Sequence, residues 1–292
     1  MKIIIIGANK ADETVLLKKE AERRGWQVEL ANLSQLVFVA EKSPKIYKDQ
    51  KNLSDGLDAI IIRGMTKHPN ENLILAEFLG KRGVRVVDNR LAIKRYITTK
   101  LATSYKLSHQ NINHPKTIYS TSNKNLDDIV KNLGFPMIVK DIVGKHSKGV
   151  YRFVNKQELD TFFQRSKAMD FIFQEDLKTD VYYRVFTIGF KAIGAIKRVK
   201  TTSLTHSGST SGVRSKKIKP SREMIEIAEK TAKITDNEIC GLDIIKKDGK
   251  YYIIEANRAP QFKAFSEKTG INVAKKILDY VQKTLRVPPQ LS

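Results

Sequence analysis

The chain has 292 residues, of which 41% are apolar, so it can bury a core and divide into two or three lobes. No apolar run approaches the roughly 20 residues of a membrane-spanning helix, and the opening Met1–Gly7 is too short for a signal peptide. The single cysteine, Cys240, excludes an internal disulfide framework; we expect a core residue and a cytoplasmic protein. The net charge of +22 favours acidic partners, although a compositional bias toward lysine explains it equally well.

The amino-terminal part alternates predicted strands with predicted helices. The strands are Lys2–Ile6, Trp26–Ala31, Asp58–Ile62 and Val84–Val87, and the helices are Asp12–Arg24 and Asn70–Arg82. Alternation at this spacing predicts a parallel sheet covered by helices. The turn that follows the first strand, Gly7-Ala8-Asn9-Lys10, lacks the G-x-G-x-x-G fingerprint, so a dinucleotide site there is not favoured.

A second lobe is predicted after a basic helix, Leu91–Leu107. Its strands and helices are Asn125–Leu133, Met137–Lys140, Val150–Phe153 and Lys156–Arg165. A third lobe has longer strands, Phe171–Glu175, Tyr182–Ile188, Lys191–Lys200, Cys240–Lys246 and Tyr251–Ala256, and two helices, Arg222–Ile234 and Asn272–Leu285. The segment Thr201–Pro220 is rich in Ser, Thr and Gly without periodicity, which predicts a mobile active-site loop.

The strongest local signal is a pair of apolar strands that each contain an acid, Asp243 in the first and Glu255 in the second. Such a carboxylate needs a cation or an open face. Asn257 shares a face with Glu255. Asp243 joins them if the loop at Asp248-Gly249 has an odd number of residues, whereas a two-residue loop turns it away. With the odd loop the three form an all-oxygen cluster of the kind that Mg²⁺ prefers; strand-end acids paired with surface lysines are an equally weighted alternative.

Two weaker signals precede this hairpin. Lys140 ends an apolar strand, and the loop from Gly144 to Gly149 that follows can set backbone N–H groups and an ammonium against phosphates. It is not a Walker A loop, because no GK[ST] opens a helix. The strand Phe171–Glu175 ends in an acid and can offer a carboxylate to an adenine edge. Taken alone, either signal is better explained by ordinary strands and turns.

Taken together and in this order, the pieces resemble the ATP-grasp superfamily and, within it, the RimK-like ligases that add amino acids to a carboxylate. The resemblance covers nearly the whole chain, and its matching pieces are Thr99-Lys100-Leu101, Ile138-Val139-Lys140, the 144–150 loop, Gln174-Glu175, Arg184, Ile196-Lys197-Arg198, Gly241-Leu242-Asp243, Glu255-Ala256-Asn257 and Lys268-Thr269-Gly270-Ile271. It implies an α/β, ATP-grasp fold. A pre-ATP-grasp parallel α/β domain (1–92) would precede a central α+β lobe with a glycine-rich lid (93–170) and a carboxy-terminal α+β lobe with the metal-binding hairpin (171–292).

The resemblance also implies roles for single residues. ATP would be bound by Lys100, Lys140, Gly144, Lys145, His146, Ser147, Gly149, Gln174, Glu175 and Leu177. Two ions of Mg²⁺ or Mn²⁺ would be held by Asp243, Glu255 and Asn257. Charge at the transferred phosphate and the substrate carboxylate would come from the catalytic residues Lys140, Arg184 and Arg198. Substrate contacts would come from Arg63, Arg258 and Phe262, although core packing is the favoured explanation for Phe262.

Two departures from the family pattern concern the substrate. The segment Ser203–Arg214 lacks the Arg-x-Asn and paired glycines of many RimK-like ligases, so we assign no substrate contact to it. After Asn257 the chain reads Arg258-Ala-Pro260-Gln261-Phe262-Lys263, where the ribosomal-protein glutamate ligase has Ser-Pro-Gly-like residues. The Gln-Phe-Lys part is closer to the LysX-like branch, which attaches an amino acid to a small acidic carrier protein.

We therefore expect an ADP-forming carboxylate–amine ligase that works through an acyl phosphate. Its acceptor would be an acidic peptide, a carrier protein or a ribosomal protein, and its amine donor an amino acid. One alternative is a small-molecule peptide or cofactor glutamyl ligase. The other is a non-catalytic ATP-grasp scaffold that binds nucleic acid or ribosomes, which the intact acid–acid–amide set disfavours. Proximity to nucleic acid or the ribosome and a homo-oligomeric state stay open, and no membrane partner is expected.

Overall fold

A computed structural model of the chain describes residues 1–65, 68–93, 99–142, 149–165, 170–200 and 212–285. Within these ranges no helix combines the length and the apolar character that crossing a membrane requires. The strands of these ranges form three main sheets and one small sheet.

The first domain contains β1 (Lys2–Ile6), α1 (Asp12–Arg23), β2 (Gln27–Ala31), β3 (Leu36–Val39), β4 (Lys45–Lys48), β5 (Lys51–Asn52), β6 (Ala59–Ile62), α2 (Pro69–Gly80), β7 (Arg85–Val87) and α3 (Arg90–Ile93). A short 3-10 helix, Leu33–Gln35, precedes β3. The main sheet has the order β2-β1-β6-β7, and all its pairs are parallel, as expected for alternating strands and helices. The small antiparallel sheet β3-β4-β5 was not predicted, because strands this short carry little periodicity.

The central lobe follows α4 (Lys100–His109) and contains β8 (Thr117–Ser120), α5 (Leu126–Leu133), β9 (Met137–Asp141), β10 (Val150–Phe153), α6 (Lys156–Arg165) and β11 (Phe171–Glu175). Its sheet is antiparallel, in the order β10-β9-β11-β8. The sequence interpretation placed Phe171–Glu175 in the third lobe, and this is wrong. The strand hydrogen-bonds to both β8 and β9, so it is an inner strand of the central sheet.

The predicted continuous helix Leu91–Leu107 is also wrong. α4 begins at Lys100, because Thr99 is extended (φ −87°, ψ 170°) and caps the helix with its hydroxyl, which accepts a hydrogen bond from the Ala102 N–H. The distance between the two atoms is 3.1 Å. α4 packs through Leu107 against the third lobe, and Ser104 on the same helix accepts a hydrogen bond from Thr117 Oγ1 of the central sheet at 3.2 Å. Lys100 is therefore placed by a helix that is fixed to the third lobe.

The third lobe contains β12 (Val181–Ile188), β13 (Lys191–Lys200), β14 (Val213–Ile218), α7 (Arg222–Ile234), β15 (Ile239–Lys247), β16 (Lys250–Asn257), α8 (Lys263–Thr269) and α9 (Val273–Thr284). Its antiparallel sheet has the order β14-β13-β12-β15-β16. The predicted loop Thr201–Pro220 is wrong from residue 213 onward, where β14 forms. Residues 201–211 lie outside the described ranges.

The first domain and the third lobe share one hydrophobic core. Ile5 and Leu17 of the first domain pack in the same cluster as Phe186, Ile196 and Phe262 of the third lobe. The central lobe has its own core, in which Phe153 and Phe173 lie. Every residue of that cluster belongs to the central lobe, so no hydrophobic cluster joins it to the other two lobes through those residues. Cys240 is fully buried in the third lobe, and burial raises its pKa to about 12, which agrees with the expected core role.

Candidate active site

One face of the third-lobe sheet collects the charged side chains that the sequence singled out. Arg184 on β12 stands opposite Asp243 on β15, and Asp243 stands opposite Glu255 on β16. Directly paired residues of neighbouring strands share a face, and so do residues two apart on one strand. Asn257, two residues beyond Glu255, and Arg198, opposite Tyr182 on β12, therefore project from this face as well.

The hairpin reaches this arrangement by a route other than the one expected. Its loop is the two-residue pair Asp248-Gly249, with φ of 47° and 77°, between the paired residues Lys247 and Lys250. Such a loop alone turns Asp243 away from Glu255. A bulge corrects the register, because Ile244 pairs with Ile253 while Asp243 pairs with Glu255, which leaves Ile254 as an extra residue. The odd residue that the face requires therefore lies in the strand, and of the two loop lengths that the sequence left open the two-residue loop is the one that forms.

Asp243 and Arg184 form a bidentate ion pair. The Arg184 Nε donates to Asp243 Oδ1 at 2.7 Å and its Nη2 donates to Oδ2 at 2.6 Å. The two side chains are 13% and 8% exposed. Burial disfavours the charged guanidinium, yet attraction to Asp243 outweighs burial and raises the pKa of Arg184. The two hydrogen bonds therefore fix the Asp243 carboxylate in one orientation.

Two ammonium groups, those of Lys100 and Lys140, lie close enough to Glu255 to interact with its charge. Lys140 stands near the end of β9 and Lys100 at the first turn of α4, where its Nζ donates to the Asp141 carbonyl at 3.1 Å. Burial lowers the pKa of both lysines, that of Lys140 to about 8, while attraction to Glu255 acts in the opposite direction on each. Central and third lobes therefore meet at this point.

Arg198 offers an unused donor beside this cluster. Its guanidinium lies 5.8 Å from the centroid of the Tyr182 ring. Its Nε is buried and forms no hydrogen bond within the part of the chain that the structure describes. A buried guanidinium N–H without a partner destabilises the fold, so an anionic group that accepts a hydrogen bond from the Arg198 Nε would be stabilising.

The predicted adenine end is built from β11 and the segment after it. Gln174 is buried, and its Nε2 donates to Thr117 Oγ1 at 2.8 Å, while its Oε1 has no hydrogen-bond partner among the described residues. The Glu175 carboxylate accepts from the Lys116 N–H at 3.2 Å. Leu177 is buried. Gln174 Oε1 is thus an open acceptor, whereas Glu175 already accepts one backbone hydrogen bond.

The lid is described at its base only. Gly144, Lys145, His146 and Ser147 lie outside the described ranges. Gly149 has φ +75°, and a Cβ there would come within 2.8 Å of the Asp141 Cβ. A side chain at this position would be strained on both counts, so glycine is required where the loop rejoins β10.

The three predicted substrate residues lie on the seam between the first domain and the third lobe. Arg63 Nη2 donates to the Pro260 carbonyl at 2.8 Å, and the guanidinium lies over the Phe262 ring at 5.3 Å. Phe262 is fully buried, so the favoured alternative, core packing, describes it, and its ring supports Arg63. Arg258 Nη1 donates to the Ile62 carbonyl at 2.6 Å and lies 3.3 Å from Asp88 Oδ2.

Asp88 is a residue that sequence reasoning missed. It follows β7 and is buried, and its Oδ1 accepts from the backbone N–H of Glu238 at 2.7 Å, while Oδ2 meets Arg258. It thereby joins the first domain to the strand that carries Asp243 and to the residue after Asn257. An acid directly after the apolar pair Val86-Val87 was the available signal. Lys200 is a second such residue, since its charge contributes to the lowered pKa of Lys140.

The donor set fits a hard cation. Among the described residues no group of three or more His, Cys, Asp or Glu side chains is placed to hold a metal ion. The predicted set is instead two carboxylates and an amide, and two of its members are directly paired across β15 and β16. Carboxylate oxygens have lone pairs beyond those that Arg184 uses, so Asp243 can bind a cation while it keeps the arginine.

Comparisons with known proteins agree with this geometry. A family model described as "RimK-like ATP-grasp domain" matches residues 98–281. A "Probable alpha-L-glutamate ligase" of Legionella pneumophila (strain Corby) is 27% identical over 293 residues, which cover 97% of this chain and 96% of that protein. The RimK domain protein of Sphaerobacter thermophilus DSM 20745 superposes with a TM-score of 0.71 at 17% identity, covering 97% of this chain and 100% of that chain. The macrocyclase MdnC of Microcystis aeruginosa MRC, bound with its precursor peptide MdnA, gives 0.72 at 12% identity, covering 97% and 100%.

Proposed function

The chain belongs to the RimK-like ATP-grasp family, and from this premise we propose that it joins an amino acid to a carboxylate of an acidic peptide or protein at the expense of ATP. The observation that carries the proposal is the proximity of acidic side chains of the third lobe to a lysine of the central lobe. Asp243 and Glu255 are paired across β15 and β16 of the third lobe, and their charges raise the pKa of Lys140 in the central lobe, although burial outweighs them.

The cationic side chains and the oxygen donors of the site would have different roles in the reaction. Lys140 and Lys100 would hold the phosphates of ATP, and the free Nε of Arg198 would donate to the transferred phosphoryl group or to the substrate carboxylate. Asp243, Glu255 and Asn257 would bind Mg²⁺, which supplies positive charge to the phosphate oxygens when bound. Arg184 would hold the Asp243 carboxylate in one orientation.

The reaction would then take place in two steps. An oxygen of the substrate carboxylate attacks the γ-phosphorus and ADP leaves, which gives an acyl phosphate. The neutral amine of the second substrate attacks the acyl carbon, inorganic phosphate leaves, and the amine loses a proton to give the amide. Water must be excluded between the steps, and we assign this role to the glycine-containing loop from residue 144 to residue 149 on the family resemblance.

Two observations support the substrates. Curated relatives named alpha-L-glutamate ligases support glutamate as the amine donor. The net charge of +22 supports an acidic acceptor, because a positive surface raises the local concentration of anions.

The test is a turnover assay with a mass readout. Wild-type protein is incubated with Mg-ATP, single amino acids and a panel of acidic peptides, while ADP and peptide mass are followed. We expect ADP release that depends on both substrates and a peptide that gains one or more glutamate residues. Failure of every pair to release ADP from a protein that binds Mg-ATP would contradict the proposal.

A further inference from the structure

β14 is a cationic strand at the end of the third-lobe sheet. Among the described residues β13 is its only strand neighbour, so its other edge presents backbone N–H and C=O groups. Arg214, Lys216 and Lys217 belong to this strand and are exposed, and Lys219 follows it. Such an edge can form backbone hydrogen bonds with an additional strand. Because β14 carries cationic side chains, it favours a strand that carries acidic side chains.

Like charges stand directly opposite each other on this corner of the sheet. Lys216 pairs with Lys197 on β13, and Arg214 pairs with Val199, so all three cations project from the same face. Like charges opposite each other on neighbouring strands are destabilising. None of the three forms an ion pair with an acid in the described part of the chain, whose ion pairs near this lobe involve other cations. Binding of an anionic ligand would therefore reduce the repulsion among these three cations.

The opposite face of the same strands belongs to the candidate active site. Ser215 pairs with Arg198 and Val213 pairs with Lys200. A strand added to β14 would lie two strand spacings, about 10 Å, from the backbone of β13. The added strand would then lie beside the part of the sheet whose other face carries Arg198 and Lys200.

β14 is held in place independently of any ligand. Lys217 Nζ donates to the Thr269 carbonyl at 2.8 Å, at the end of α8. Lys217 therefore has a structural role, whereas Arg214 and Lys216, which point to the other face, have no such bond in the described chain. The two exposed cations can be changed without removing the anchor of the strand.

We propose that β14 docks an acidic, extended segment of the acceptor peptide by strand addition, with Arg214, Lys216 and Lys197 as the cations that read its carboxylates. This proposal rests on the proposed function, since it assigns a docking strand to that peptide acceptor. An extended peptide is favoured over nucleic acid because a free strand edge offers pairing that only a polypeptide backbone completes. Specificity would come from acids at alternate positions, which fall on the face of the three cations.

The test measures binding without ATP. A fluorescein-labelled hexaglutamate, matched to the six residues of β14, is titrated by fluorescence anisotropy against wild type and an Arg214→Glu, Lys216→Glu double variant. The control is Lys124→Glu, Lys131→Glu, which makes the same charge change on exposed residues of the central lobe. We expect the first variant to weaken binding about tenfold or more, and the control to weaken it about twofold or less.

A second probe separates strand addition from charge alone. Hexaglutamate that is N-methylated at every peptide bond keeps its carboxylates but cannot pair as a strand, so we expect wild type to bind it about tenfold more weakly. Equal effects of the two double variants, equal binding of the methylated peptide, displacement of the peptide by an equimolar oligouridylate, or no saturable binding at all would each overturn the proposal. Such failure leaves the ligase assay unaffected, whereas bound peptide without ADP release would count against the proposed function instead.

Discussion

The pKa of Lys140, a residue of the central lobe, depends on charged groups of the third lobe. The pKa of Lys140 is lowered to about 8, mainly by burial and also by the charges of Lys100 and Lys200, while the charges of Glu255 and Asp243 act in the opposite direction. The ammonium is therefore present at neutral pH and is lost as pH rises through about 8, well below the ordinary range of lysine. The charge at the phosphate site should thus titrate within an accessible range.

The first prediction concerns this titration. We expect kcat/KM for ATP to fall as pH rises above about 8, because the free enzyme loses the Lys140 ammonium. Bound phosphate favours the charged lysine, so kcat should fall at higher pH than kcat/KM. In Lys140→Arg, whose guanidinium stays charged, the inflection near 8 should disappear. An unchanged inflection in that variant would assign the titration to another group.

The second prediction concerns the carboxylates. Glu255→Gln should raise the Mg²⁺ concentration for half-maximal ADP release about tenfold or more, because one anionic ligand is lost. Asp248→Asn removes the same charge from the turn of the same hairpin and should leave the Mg²⁺ dependence within about twofold. Equal dependence in the two variants would show that Glu255 does not bind the cation.

At the scale of elements, the hairpin β15–β16 shows what the sequence determines. The acids at Asp243 and Glu255 and the turn at Asp248-Gly249 were all predictable from local pattern. The bulge at Ile254 was not, because Ile253 and Ile254 are interchangeable in an apolar run and either can be the extra residue. The face that carries the site was therefore an open alternative at the sequence level.

The start of α4 was also not predictable from the sequence pattern, and its cap is the subject of the third prediction. The apolar and basic pattern continues across Thr99, so the helix start was not visible without the cap geometry. We expect Thr99→Ala to cost about 1 kcal/mol of stability, which corresponds to a fall of about 2 °C in the melting temperature. Thr99→Ser keeps the hydroxyl and should melt within about 1 °C of wild type. Equal melting of the Ala and Ser variants would mean that the cap contributes nothing.

At the scale of the whole molecule, the family and the ATP-grasp fold predicted from the sequence are confirmed, and the chain is placed among ATP-dependent ligases that form C–N bonds. The boundary between residues 92 and 93 stays a prediction, whereas the one between 170 and 171 is misplaced, because Phe171–Glu175 is an inner strand of the central sheet. The shared core could not be inferred from local pattern, because its contacts join residues such as Leu17 and Phe262 that are far apart in the chain. The same holds for Asp88 and its partners Glu238 and Arg258.

The fourth prediction tests this seam. Asp88→Ala should cost about 3–5 kcal/mol of unfolding free energy, because it leaves the largely buried Arg258 guanidinium without its carboxylate and two backbone N–H groups without their acceptor. Asp12→Ala removes an exposed ion pair with Lys263 that joins the same two lobes, and should cost less than about 1 kcal/mol. Denaturant unfolding at neutral pH compares them. Equal losses would show that the buried network does not hold the seam.

Oxygen-isotope transfer is the measurement that tests the central claim most directly. An acidic acceptor peptide with ¹⁸O-labelled carboxylates is incubated with Mg-ATP and unlabelled glutamate, and the inorganic phosphate is analysed by mass spectrometry. If the site phosphorylates a carboxylate, one labelled oxygen moves into the phosphate for each ADP formed, and Lys140→Ala produces neither. Phosphate that is free of label while peptide and glutamate are joined would contradict the account.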